Sequence, residues 1–61
     1  MDFKRTVNKK TNKTTYYVDK KRVSAETFDI KETKCKIAGM NYGASFTSEH
    51  KGYIRYYHSY N

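Results

Sequence analysis

Alternating polar and apolar residues near the start of the chain predict a β-hairpin followed by a third strand. The strands Phe3–Val7 and Thr14–Val18 flank a polar, basic stretch, and the turn between them is expected near Lys10–Lys13. A second tight turn at Asp19–Arg22 leads into a short strand that ends at Val23. The chain therefore begins with three antiparallel strands.

The middle of the chain has the end signals of a helix. Ser24 is a favourable N-cap, no helix breaker interrupts Ala25–Ala38, and Gly39 stands where a C′ glycine is common. These signals predict a helix over Ala25–Ala38. The alternation within Thr33–Ile37 also fits a strand, so the second half of this segment stays open.

Strand-forming residues return after the helix and predict a second hairpin. The strands Tyr42–Ser48 and Tyr53–Tyr60 flank the loop Glu49–Gly52, where Gly52 suits a left-handed position and a bulge. The fold class is therefore α+β, a small antiparallel sheet in the order β-β-β-α-β-β. One helix covers one face of a sheet and leaves the other face open.

The last strand divides its side chains between these two faces. We expect the Ile54 face to lie under the helix, with Ala44 and Phe46 as its apolar partners. The opposite, solvent-facing side then carries Tyr53, Arg55 and Tyr57, beside Ser45 and Thr47.

Length and charge narrow the class of protein. Sixty-one residues form one small domain, 1–61, and 13 Lys and Arg against six Asp and Glu give a net charge of +7. Such a charge favours an acidic partner: nucleic acid, an anionic membrane face or an acidic protein. No run is long and apolar enough for a membrane span, and the start lacks the apolar core of a signal peptide, so we expect a cytoplasmic protein without a membrane partner.

The composition bears on whether the chain folds alone. The absence of leucine favours disorder, but the seven tyrosines favour strands. The alternative is a chain that folds only when it binds its partner.

Basic residues gather on two of the predicted turns. They are Lys9, Lys10 and Lys13 on the first turn, and Lys20, Lys21 and Arg22 on the second. Lysines on turns contact phosphates well without reading sequence. Solvated turns and a protected sheet edge explain the same pattern.

An open sheet with aromatic rings and a guanidinium is typical of surfaces on which unpaired bases stack. The sequence therefore predicts a regulatory protein that binds RNA or single-stranded nucleic acid and is not an enzyme. The alternative is an inhibitor or adaptor that places the same surface on an acidic host protein, because Tyr and Arg also anchor protein interfaces. An exposed edge strand can pair with the same strand of a second copy, so a homodimer is a further alternative.

Few residues suggest catalysis, metal binding or a cofactor. His50 and His58 could together cleave RNA by acid–base catalysis, which makes a small ribonuclease a minor alternative, but they sit on opposite arms of a hairpin. One cysteine and two histidines do not form a recognised metal set, and no phosphate-binding glycine motif is present. We expect no cofactor and assign Cys35 to the core.

The run Thr15–Phe28, TYYVDKKRVSAETF, resembles the hairpin-into-helix openings of small early proteins of bacteriophages. It covers about a quarter of the chain, and no functional residue is carried over from it. The resemblance implies a protein that adjusts host transcription, nucleases or defence systems, in the host cytoplasm.

Overall fold

A computed structural model describes all 61 residues and confirms the α+β fold class. The elements, in chain order, are β1 (Asp2–Asn8), β2 (Thr14–Val18), β3 (Lys21–Val23), α1 (Ala25–Ile37), β4 (Tyr42–His50) and β5 (Tyr53–Tyr60). The five strands form one antiparallel sheet with α1 packed against one face.

The strand order is β3-β2-β1-β5-β4, so β1 lies at the centre of the sheet between β2 and β5. The two edges differ in character. β3 has three residues, of which Lys21 and Arg22 are charged, whereas β4 has nine residues and only one acidic side chain, Glu49. A short, charged edge resists pairing with another strand.

Two-residue turns connect the tight hairpins. Asp19 and Lys20 join β2 to β3, and Lys51 and Gly52 join β4 to β5; all four have positive φ, between 49° and 83°. This is the backbone of the I′ turns that suit the twist of a hairpin. The predicted four-residue loop Glu49–Gly52 is therefore too long, because β4 continues to His50.

The bulge expected beside Gly52 lies instead at the other end of β4. The register of β4 against β5 shifts between Tyr42 and Ser45. Gly43 lies within this irregularity, where an added Cβ would approach the Ser59 Oγ to 2.6 Å. The side chain of the buried Ser59 occupies the space that a Cβ would need, which explains why glycine stands at this position.

The helix follows its capping signals. The Ser24 hydroxyl accepts a hydrogen bond from the Thr27 N–H (3.1 Å). At the other end Gly39 has φ 73°, its N–H donates to the Lys36 carbonyl, and the Met40 N–H donates to the Cys35 carbonyl. These two bonds form a Schellman motif. The strand alternative for the second half is wrong, and the helix stops one residue short of the predicted end.

The core lies where α1 crosses one end of the sheet. It consists of Phe3, Val18, Phe28, Cys35 and Tyr60. The fully buried Phe3 ring meets the Phe28 ring edge-on, with centroids 5.3 Å apart. Cys35 is buried, as expected. Ile30 and Ile37 lie on the far side of the helix, and Ile37 is 80% exposed.

One expectation about faces is wrong. Phe46 does not lie under the helix: it pairs with Tyr57 on the opposite face, and 57% of it is exposed. Ala44 lies within the bulge and is exposed as well. Ser45 and Thr47 pair with His58 and Tyr56, so they belong to the helix side, contrary to expectation. The Lys51–Gly52 turn sets this register, because a one-residue change in pairing moves every side chain to the other face. We call the helix side the covered face and the other side the open face.

Candidate nucleic-acid interface

The register of the sheet aligns five side chains in one row across the open face. Lys4 of β1 stands opposite Tyr17 of β2 and Tyr57 of β5, and the outer strands extend the row in both directions. From edge to edge this central row is Arg22, Tyr17, Lys4, Tyr57 and Phe46. Cations and aromatic rings thus share one line on all five strands.

Two of the four neighbouring pairs in the central row are in direct contact. The Lys4 ammonium lies 4.6 Å from the centroid of the Tyr17 ring, a cation–π contact. The rings of Phe46 and Tyr57 are tilted by 30° with centroids 4.9 Å apart. The row therefore contains one cation–aromatic pair and one aromatic pair, side by side on neighbouring strands.

The Tyr57 hydroxyl is held by Asp2, a residue outside the row. It donates a hydrogen bond to Asp2 Oδ1 (2.9 Å). This bond, followed by desolvation and the charge of Asp2, raises the pKa of Tyr57 above its usual value of 10.0. The hydroxyl therefore remains a neutral donor at physiological pH.

Two further rows continue toward the β4–β5 turn. Arg55 stands between Thr6 and Ser48, and Tyr53 stands between Asn8 and His50. A shallow hollow of about 470 Å³ lies over this part of the face. Its lining residues are Thr6, Thr15, Tyr17, His50, Lys51, Tyr53 and Arg55.

The structure places Tyr53, Arg55 and Tyr57 on the open face, as the alternation of β5 predicts. Tyr53 is 47% exposed, and Arg55 is exposed as well, whereas Tyr57 is half-buried between its neighbours. Arg55 stands between the row of Tyr57 and the row of Tyr53, so its guanidinium lies on the same surface as both tyrosines.

The two predicted basic clusters lie at opposite ends of the sheet. Lys9 and Lys10 border a hollow of about 410 Å³ next to Tyr53, together with Lys51. Lys9 also forms an ion pair with Glu49 (2.6 Å), which partly neutralises it. Lys13 lies in the same β1–β2 turn but does not line this hollow.

The second basic cluster is split by the alternation of β3. Arg22 pairs with Tyr17 and belongs to the open face. Lys20, in the turn, lines a hollow with Tyr17 and Tyr57. Lys21 pairs with the core residue Val18 and therefore lies on the covered face, away from the candidate site.

Four cationic or aromatic residues of this surface were not predicted from the sequence: Lys4, Tyr17, Phe46 and Lys51. Tyr17 could be assigned to the face opposite Tyr16 and Val18, but nothing local brings β2 into the same sheet region as β5. Phe46 could have been found by treating Lys51–Gly52 as a two-residue turn, which pairs Phe46 with Tyr57.

The two histidines lie on opposite faces of the sheet. His50 pairs with Tyr53 on the open face, whereas His58 pairs with Phe3 on the covered face. The His58 ring is stacked between Phe3 and Tyr42, and its Nε2 contacts the carboxylate of Glu32 on α1. The two imidazoles do not form a joint site. No three His, Cys, Asp or Glu side chains form a group suited to a metal ion.

No family model, curated protein or solved structure matches the chain. The one helix, α1, is neither long nor apolar enough to cross a bilayer. The functional inference therefore rests on the geometry of the open face.

Proposed function

We propose that this protein binds single-stranded nucleic acid, RNA in particular, on the open face of its sheet. The observation that carries the proposal is the central row, in which cations and aromatic rings line up across all five strands without a covering element. Bases stack on aromatic rings and guanidinium planes, and each stacked base contributes about 1–3 kcal/mol. Binding of this kind needs no catalytic residue, which fits a regulatory role.

The arrangement of the cations supports the same function. Lys10 and Lys51 stand at one end of the open face, and Lys20 and Arg22 stand at the other. A nucleic-acid strand that lies across the rows of Tyr57, Arg55 and Tyr53 meets positive charge at both of its ends. Such contacts position the backbone, and together with the net charge of +7 they increase the rate of encounter with a polyanion.

A single strand fits this surface better than a duplex does. Stacking on Tyr53 and Tyr57 requires bases whose faces are free, which paired and stacked bases in a duplex are not. The only helix carries Glu26 and Asp29 on exposed positions, so it is poorly suited to a major groove.

The test is a salt titration of affinity for a short single-stranded RNA, with circular dichroism to check folding of each variant. Tyr57→Ala and Tyr53→Ala are expected to weaken binding by about 1–3 kcal/mol without changing the salt dependence. Tyr42→Ala is the matched control, because Tyr42 is similarly exposed but stacks on His58 of the covered face. It should bind like the parent.

Charge is tested separately. Neutralising Lys10 and Lys51 should flatten the slope of log K against log salt by about 1.4, at about 0.7 for each phosphate contact on a single strand. The control removes the same charge from the helix, at Lys34 and Lys36. If the tyrosine variants bind like the parent while the loss of lysines abolishes binding, the stacking surface does not exist. A stoichiometric acidic protein that survives nuclease treatment in a pull-down would then favour the inhibitor or adaptor function.

A further inference from the structure

A small hollow at one end of the open face has a composition that general charge attraction does not explain. It holds about 160 Å³. The residues that line it are Asp2, Lys4, Tyr17, Lys20 and Tyr57. Pockets for drug-sized ligands hold roughly 300–1,000 Å³. This hollow therefore suits one flat group such as a nucleobase.

The walls of the hollow are held in place before any ligand arrives. Tyr17 and Tyr57 stand on the strands that flank Lys4, roughly 10 Å apart at two strand spacings. Tyr57 is held by its bond to Asp2 and by the ring of Phe46, while Tyr17 is in contact with the Lys4 ammonium. Side chains that are already ordered lose little entropy on binding.

Asp2 is the unexpected member of this set. It is the only acidic residue that lines any of the three hollows of the open face. A carboxylate opposes phosphate binding, so its presence points to a ligand group that donates hydrogen bonds. Neither ion pair of the protein involves Asp2. Its Oδ1 accepts one bond from Tyr57, and a carboxylate has about four acceptor positions in all.

We propose that this hollow recognises one guanine base within the single strand. The Watson–Crick edge of guanine presents two adjacent donors, N1–H and the N2 amino group, beside the acceptor O6. Asp2 would accept both donors, and an ammonium of the hollow, from Lys4 or Lys20, would donate to O6. Adenine and cytosine offer one donor group next to an acceptor, and uracil places its single N–H between two carbonyls. This proposal rests on the proposed function, because it requires single-stranded nucleic acid on the open face.

The experiment compares four short oligouridylates that differ in one central nucleoside: guanosine, inosine, adenosine or uridine. Inosine is the sharpest comparison, because it lacks only the N2 amino group. Fluorescence anisotropy at one fixed salt concentration gives the four affinities. Guanine should bind roughly tenfold more tightly than inosine, in line with the discrimination of a bidentate contact to a base.

Two charge-matched variants assign the preference to Asp2. Asp2→Asn should bring the guanine-to-inosine ratio close to one. Asp29→Asn removes the same charge from an exposed position on the helix and should retain the ratio. Any general effect of charge changes all four affinities equally and leaves the ratio unaffected.

The possible outcomes distinguish guanine recognition from the binding of single strands on which it depends. Equal binding of all four oligonucleotides overturns guanine recognition while single-strand binding stands. A guanine preference that survives in Asp2→Asn overturns the role of this hollow. Failure to bind any of the four overturns both proposals.

Discussion

Phe46 provides a direct test of the register between β4 and β5. Under the helix, as the sequence alone suggests, this ring would be a core residue. On the open face, it is a binding residue with a limited role in stability. We therefore expect Phe46→Ala to cost much less stability than Phe28→Ala, while weakening binding to single strands.

The magnitudes follow from exposure. Phe46 is 57% exposed and Phe28 is 8% exposed, so about 43% and 92% of the two residues are covered. With a phenylalanine area of about 200 Å², roughly 85 and 185 Å² are covered, or about 2 and 4.5 kcal/mol at ~25 cal/mol per Å². Alanine retains part of that area, and unfolded chains already bury some of it, so we expect losses of about 1 kcal/mol and about 3 kcal/mol.

The difference in stability between the two variants is large compared with the total stability of the domain. A domain of 61 residues is stable by about 3–9 kcal/mol at ~0.05–0.15 kcal/mol per residue. Phe28→Ala should therefore remove at least about a third of the stability of the protein, whereas Phe46→Ala should give a cooperative urea transition close to that of the parent. If the two variants lose the same stability, Phe46 packs in the core and the register between β4 and β5 is wrong. If Phe46→Ala is stable and binds RNA like the parent, the central row ends at Tyr57.

Two further predictions concern stability. Burial, together with the Glu32 carboxylate that accepts the Tyr60 hydroxyl hydrogen bond, raises the pKa of Tyr60 above 10.0. The unfolded chain therefore loses this proton first, so stability is fully present below pH 10 and falls as the pH rises through the folded pKa. In urea titrations, Tyr60→Phe should show a smaller alkaline loss than the parent, and an equal loss would contradict the assignment. Gly43→Ala should destabilise the protein by about 1–3 kcal/mol, because its Cβ would meet the Ser59 Oγ at 2.6 Å. A melting temperature equal to that of the parent would show that the bulge relaxes freely.

The parts of the fold that were predicted correctly depend on local chemistry. The capping preference of Ser24 and the left-handed preference of Gly39 determine where the helix begins and ends. The alternation of β5 places Tyr53 and Tyr57 on one face, whichever strands lie beside it. The low amphipathicity of the helix left its second half ambiguous. The structure resolves this because only Phe28 and Cys35 of α1 need to reach the core.

The parts that were missed depend on pairing between distant segments. The sequence does not state that β1 lies between β2 and β5, and the central row exists only because of that order. Lys4 and Tyr17 have no distinguishing pattern along the chain. They become part of a site because long-range register aligns them with Tyr57, and register is fixed by turns and bulges rather than by composition.

The position of the central row also explains how such a small sheet could hold a binding surface. Each β-strand alternates between faces, so Lys4 is next to Phe3, and Tyr17 is next to Val18. The row therefore lies directly behind the part of the sheet where α1 packs most tightly. The covered face stabilises the same backbone segments that carry the open-face side chains, and sites on rigid elements hold their geometry better than sites on loops. The rows of Arg55 and Tyr53 lie toward the β4–β5 turn, beyond the core residues, and have less of that support. Disruption of the core at Phe3 should accordingly loosen the central row before it affects Lys10 and Lys51 at the other end of the sheet.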